Sequence, residues 1–149
     1  MAAVSVLFDK LFASKLVRFG IVGGAGFFVN EAALLVASAG FHLGDHAAWL
    51  FGFAVSVTFT WWGNRTITFH EHKSQGHKGI AAEWARFVAT NSFGALANFL
   101  IYSALIAWAP WPLNVRYLAL FFGVLVGLVF NFTLSKKLVF RHKAGDPAA

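Results

Sequence analysis

Four long apolar runs, at about 17–40, 47–62, 84–108 and 115–134, dominate the chain. A helix needs about 20 apolar residues to cross a hydrocarbon core of roughly 30 Å. Only a helix or a closed barrel bonds its own peptide groups in lipid, and runs this long fit the helix. Each run therefore predicts a transmembrane helix. The second is the shortest and should continue as helix through 64–66. Composition supports lipid rather than water as the solvent. Apolar residues make up 58% and charged residues only 12%, against about 25% charged in a soluble domain.

The basic residues set the orientation. Lys10, Lys15 and Arg18 precede the first run, and the first connection has none. Arg65, Lys73, Lys78 and Arg86 surround the middle connection. Arg116 stands alone in the third, and Lys136, Lys137, Arg141 and Lys143 follow the last run. Eleven of the 12 thus fall on one side, which is expected to be cytoplasmic together with both termini. Trp49, Trp108 and Trp111 then mark the outer interface, and Trp61, Trp62 and Trp84 the inner one. This clustering, rather than nucleic-acid binding, accounts for the net charge of +6. There is no cysteine, hence no disulfide framework. The N-terminus does not read as a cleavable signal peptide. Leu7, Phe8, Leu11 and Phe12 share a helical face beside Lys10 and Lys15, which predicts a short helix on the inner membrane surface. The expected divisions are 1–16 interfacial, 17–141 transmembrane and 142–149 a tail, with a polar mobile loop over 71–79.

The chain also repeats itself. A shift of 68 residues carries Arg18-Phe19 onto Arg86-Phe87, Gly23 onto Asn91, Gly26 onto Gly94 and Asn30 onto Asn98. A shift of 71 carries Gly52 onto Gly123, Ser56 onto Gly127, Thr60 onto Asn131, Arg65 onto Lys136 and Phe69 onto Phe140. The expected fold is an all-α membrane protein of two tandem two-helix repeats. Both copies should enter the membrane the same way, related by an axis along its normal. The matched small and amide residues form stripes expected to face the interior, since small residues let helices approach and polar ones avoid lipid.

These residues also carry a family likeness. The sequence resembles the GtrA-like family over about 17–141. The features are Arg18-Phe19-Gly20-Ile21-Val22-Gly23 with Asn30, and Gly52-Phe53 followed by Asn64-Arg65-Thr66-Ile67-Thr68-Phe69. Arg86-Phe87 with Asn98, and Asn131-Phe132 with Lys136-Lys137-Leu138-Val139-Phe140, complete them. The resemblance implies a non-enzymatic role in the bacterial cytoplasmic membrane. Such proteins move polyprenyl-phosphate-linked sugars to the outer leaflet for envelope polysaccharides, or anchor a glycosyltransferase. The family brings no agreed catalytic residues.

Four cations, Arg18, Arg65, Arg86 and Lys136, recur at the cytoplasmic ends of the helices. They suit a lipid phosphate, Arg by paired hydrogen bonds and Lys as a point charge, while snorkelling to headgroups serves equally as their role. Asn30, Asn64, Asn98 and Asn131 offer amides to sugar hydroxyls along a translocation path, or else to neighbouring helices. Glu31 is the one carboxylate well inside a run, and such a group is a functional candidate because burying its charge is costly. His70, His72 and His77 near Glu71 lack the order of a zinc motif, so no metal is expected. No phosphate-binding Gly-rich loop with Lys, catalytic triad or paired acidic motif is present, and no cofactor is expected. The leading expectation is a translocase of polyprenyl-phosphate-linked sugar among membrane lipids, acting as a homo-oligomer because four thin helices enclose little space. The alternatives are a scaffold for a glycosyltransferase and a small proton-coupled exporter using Glu31.

Overall fold

The computed structural model describes residues 14–140. The expected interfacial helix at Leu7, Phe8, Leu11 and Phe12 and the 142–149 tail lie outside them. Among the described residues there are four long helices: α1, Lys15–Leu35; α2, Asp45–Gly63; α3, Gly76–Trp108; and α4, Arg116–Leu134. Five-residue π-helical turns, Val36–Gly40, Asn64–Thr68 and Ser135–Val139, extend α1, α2 and α4. A 3₁₀ turn, His70–His72, follows the second of these. The protein is an all-helical membrane protein.

Among the described residues, three stretches are long and apolar enough to cross a membrane: Lys15–Gly40, Gly76–Trp108 and Leu118–Val139. α2 is not among them. Ser56, Thr58 and Thr60 dilute it, as do Trp49, Trp61 and Trp62. The middle connection is also shorter than its composition suggested. The stretch expected to be loop over 71–79 starts in the 3₁₀ turn and ends in the first turn of α3. Gly76 opens α3 at φ 71°, a conformation that glycine adopts without a Cβ clash.

The chain divides into two compact units, Met1–Ile80 and Ala81–Ala149. The boundary falls between the two sequence repeats. In the first unit α1 packs along α2. Phe19, Val22, Gly26 and Ala33 are the buried residues of α1, and Ala37 is buried in its π turn. These steps of three and four residues keep one face toward the partner helix. On α2 the seam holds Ala48, Gly52, Val57 and Gly63. A methyl group at Gly52 would lie 3.1 Å from Asn30 Oδ1 and 3.2 Å from its carbonyl oxygen, and one at Gly63 would lie 2.8 Å from Val22 Cγ1. A methyl at Gly26 would run into Thr60. The helices are therefore as close as glycine allows. In lipid, where apolar burial gives helices no advantage, such van der Waals contact is a main source of association.

The second unit repeats this seam. Phe87, Thr90 and Gly94 are buried on α3, each 68 positions after Phe19, Val22 and Gly26. On α4, Ala119, Gly123 and Gly127 are buried, 71 positions after Ala48, Gly52 and Ser56. A methyl at Gly123 would meet Asn98 Oδ1 at 2.5 Å, and one at Gly94 would run into Asn131. Asn30 thus sits on Gly52 as Asn98 sits on Gly123, and Gly26 faces Thr60 as Gly94 faces Asn131. Edge-to-face phenylalanines close the same end of each hairpin. Phe19 and Phe69 have ring centres 6.2 Å apart at 67°, and Phe87 and Phe140 are 6.2 Å apart at 62°. The two offsets differ by three because the second hairpin's connection, 109–115, is three residues longer than 41–44. Gly23 departs from the expected face. It is exposed with open space around it, because the seam runs through its neighbour Val22.

Candidate functional site

The cationic residues gather at the end of each hairpin that the phenylalanine pair closes, and they differ in what holds them. In the first hairpin Arg18 donates from Nη1 to the Ile67 carbonyl at 3.2 Å, tying the start of α1 to the end of α2. Arg65 donates from Nη2 to the Ser74 carbonyl at 2.6 Å, and its guanidinium lies 5.8 Å from the Trp61 ring centre. In the second hairpin Arg86 and Lys136 are both exposed. Arg86 makes no hydrogen bond or ion pair with the described residues.

Arg86 stands at an open groove of about 550 Å³ in the second hairpin. From α3 the groove takes Ala89, Thr90 and Phe93, and from α4 and its π turn Phe130, Leu134 and Leu138. Thr90 turns its hydroxyl back onto the Phe87 carbonyl at 3.0 Å. The groove is therefore apolar apart from one guanidinium. Its volume falls in the range of small-molecule sites.

The amides lie at helix contacts. Asn64, buried, donates from Nδ2 to the Thr60 carbonyl at 2.9 Å and accepts from Thr68 Oγ1 at 2.9 Å. Thr60 donates to the Ser56 carbonyl at 3.0 Å, and Ser56 to the Gly26 carbonyl of α1 at 2.8 Å. A closed polar ladder thus runs down α2. The matching positions of α4 hold Gly127, Asn131 and Ser135. There Asn131 Oδ1 and Ser135 Oγ are buried with no hydrogen-bond partner. Asn30 directs its amide to Glu31 Oε1 at 3.4 Å, and Glu31 is exposed. Asn91 bonds the Phe87 carbonyl of its own helix at 3.0 Å.

At the first residue of α1, Lys15 Nζ donates to Glu71 Oε2 at 2.6 Å. This bond holds the Glu71 carboxyl below its ordinary range, and nearby His70 and His72 add to the effect. The contact fixes the start of α1 against the 3₁₀ turn. Among the described residues, no three metal-binding side chains converge.

The family described as GtrA/DPMS, transmembrane domain, matches residues 18–144. The chain belongs to this family. No curated protein and no solved structure matches it. The match begins at Arg18 and takes in both hairpins of this GtrA/DPMS domain. Two of the domain's features escaped the sequence. The groove needs a small residue, Ala89, beside large ones on the facing helix, and hydropathy does not register that relief. Glu83, fully buried at the start of the second hairpin, was also missed. The signal was available, since the 68-residue shift places it on Lys15.

Proposed function

We propose that this GtrA/DPMS domain is a non-enzymatic translocase that carries a polyprenyl-phosphate-linked sugar from the cytoplasmic to the outer leaflet of the bacterial cytoplasmic membrane, for envelope glycans. Family membership supports a membrane role connected with such lipids. The observation that carries the reading is the repeated cationic end. Each hairpin brings two cations, Arg18 with Arg65 and Arg86 with Lys136, to the end that Phe19–Phe69 or Phe87–Phe140 closes. A phosphodiester at headgroup depth meets guanidinium and ammonium groups there.

The topology that goes with this reading has four spans and both termini inside. α2 crosses although its hydropathy is modest, because its polar side chains are satisfied within the hairpin. Ser56 bonds α1, while Thr58 and Thr60 bond the carbonyls one turn back. Such a helix presents few unsatisfied groups to lipid. Asn30, Glu31, Asn98 and Asn131 lie deeper than the cations and would accompany the sugar; Asn64 supports them through the ladder. A homo-oligomer would supply the enclosed passage.

Transfer of a lipid-linked sugar across vesicles containing the purified protein tests the reading. Equal transfer with and without the protein overturns it. A second reading, a scaffold for a glycosyltransferase, draws on the exposed Phe27, Phe28, Phe93 and Phe99. Co-purification of a transferase with a transport-inactive protein would favour it.

A further inference from the structure

We propose that the two hairpins are not equivalent: the second alone binds the lipid phosphate, with the phosphate against Arg86 and the first isoprene units in the Ala89–Phe93–Leu134–Leu138 groove. This rests on the reading of a polyprenyl-phosphate substrate and assigns it one site in place of a symmetrical collar.

Three observations separate the hairpins. The first is charge. Arg86 is exposed at the mouth of the groove and uncommitted to the described residues, whereas its counterpart Arg18 spends a donor on the Ile67 carbonyl. An apolar trough with a single cation at one end complements a ligand with one anionic head and a hydrocarbon tail. The second is shape. Ala89 leaves room on α3, and its counterpart on α1 is the branched Ile21. Leu134 borders the groove, and its counterpart Gly63 is filled by Val22, whose Cγ1 lies where a methyl of residue 63 would be crowded at 2.8 Å. The third is hydrogen-bonding capacity. The ladder of α2 is closed from Ser56 to Thr68. On the adjoining face of α4, Asn131 Oδ1 and Ser135 Oγ are buried without partners. Buried polar atoms are nearly always bonded, so exceptions cluster where a ligand or a rearrangement supplies the bond. The ladder of α2 is thus closed, and although Arg18 Nε of the first hairpin is also buried without a partner, only the second hairpin joins an uncommitted cation and a trough to two buried, unbonded oxygens on its even-numbered helix.

The test uses the full chain in phosphatidylcholine nanodiscs and a photoreactive long-chain polyprenyl phosphate, with cross-links mapped by mass spectrometry. Cross-links should fall on 86–93 and 130–138. Arg86→Gln should cut labelling about tenfold, the scale of one hydrogen bond to a charged group. Ala89→Ile, which copies the first hairpin at an exposed position, should cut it comparably. Ile21→Ala should leave it within about twofold, since Ile21 does not touch the groove. The proposal is overturned by equal labelling of the first hairpin. It is overturned also if Ala89→Ile, with helicity intact by circular dichroism, labels as the parent does. Competition by phosphatidic acid or by unphosphorylated polyprenol as strong as by polyprenyl phosphate overturns it too, marking an ordinary lipid groove. Vesicle transfer separates the two claims. Specific labelling without transfer sinks translocation and leaves the site, whereas normal transfer by Ala89→Ile sinks the site and leaves translocation.

Discussion

At the scale of single residues, the fold depends on which side chains are missing. Gly94 lies against Asn131 so closely that a methyl has no room. Gly94→Ala should destabilise the protein by about 1–3 kcal/mol, the usual cost of overpacking. Gly23→Ala, in open space, should be neutral or slightly stabilising, because alanine is the better helix former. Unfolding titrations in micelles would rank the two; equal effects would contradict the seam. The sequence already held the repeat of glycines and amides, since matching residue types recur at fixed shifts. It did not hold the choice between Gly23 and Gly26. Helical angles leave neighbouring stripes similar, and only the partner helix decides which one is covered. Lys15 and Glu71 give a second residue-scale outcome. Because Glu71 titrates below its ordinary range in the folded protein, the link contributes fully above that range and is lost as pH falls through the lowered value. Glu71→Gln should flatten the acid limb of the stability–pH curve, and an unchanged limb would show that the bond contributes nothing.

At the scale of elements, the hairpin is the unit of construction. Its two helices meet through small residues in the middle and a phenylalanine pair at one end. Apolar runs revealed α1, α3 and α4 directly. α2 was legible as the shortest of the four runs and as a member of the repeat, since its hydroxyl groups lower its hydropathy while they serve the seam. The absence of cysteine makes its placement easy to measure. Single cysteines at Ser74, Gly44 and Pro110 should react with a membrane-impermeant thiol reagent from the inside, the outside and the outside. Labelling of Ser74 and Gly44 from the same side would remove α2 as a span, and labelling of Gly44 and Ser74 as expected but Pro110 from inside would remove the proposed orientation of the second hairpin.

At the scale of the whole molecule, a duplicated design carries two differently finished halves. Sequence alone put Arg18 and Arg86 on the same footing, because charge and position are identical under the shift. Their hydrogen bonds distinguish them, and these depend on side-chain geometry that a one-dimensional pattern does not carry. Glu31 gives the transport question its own test. It is exposed and, among the described residues, held by the Asn30 amide. Under the translocase reading, Glu31→Gln should leave vesicle transfer of the sugar lipid within about threefold, since one neutral-for-charged acceptor is exchanged at an exposed site. Loss of proton-driven cation efflux with glycan transfer intact would instead favour an exporter. The unequal connections have a practical consequence. The stretch 109–115 already takes three residues more than 41–44 while both seams keep their pairing. Closing a slightly longer loop costs little, so an epitope or a small fluorescent reporter grafted there should be tolerated, giving a handle at the far end of the second hairpin from its phenylalanine pair that leaves the helices undisturbed.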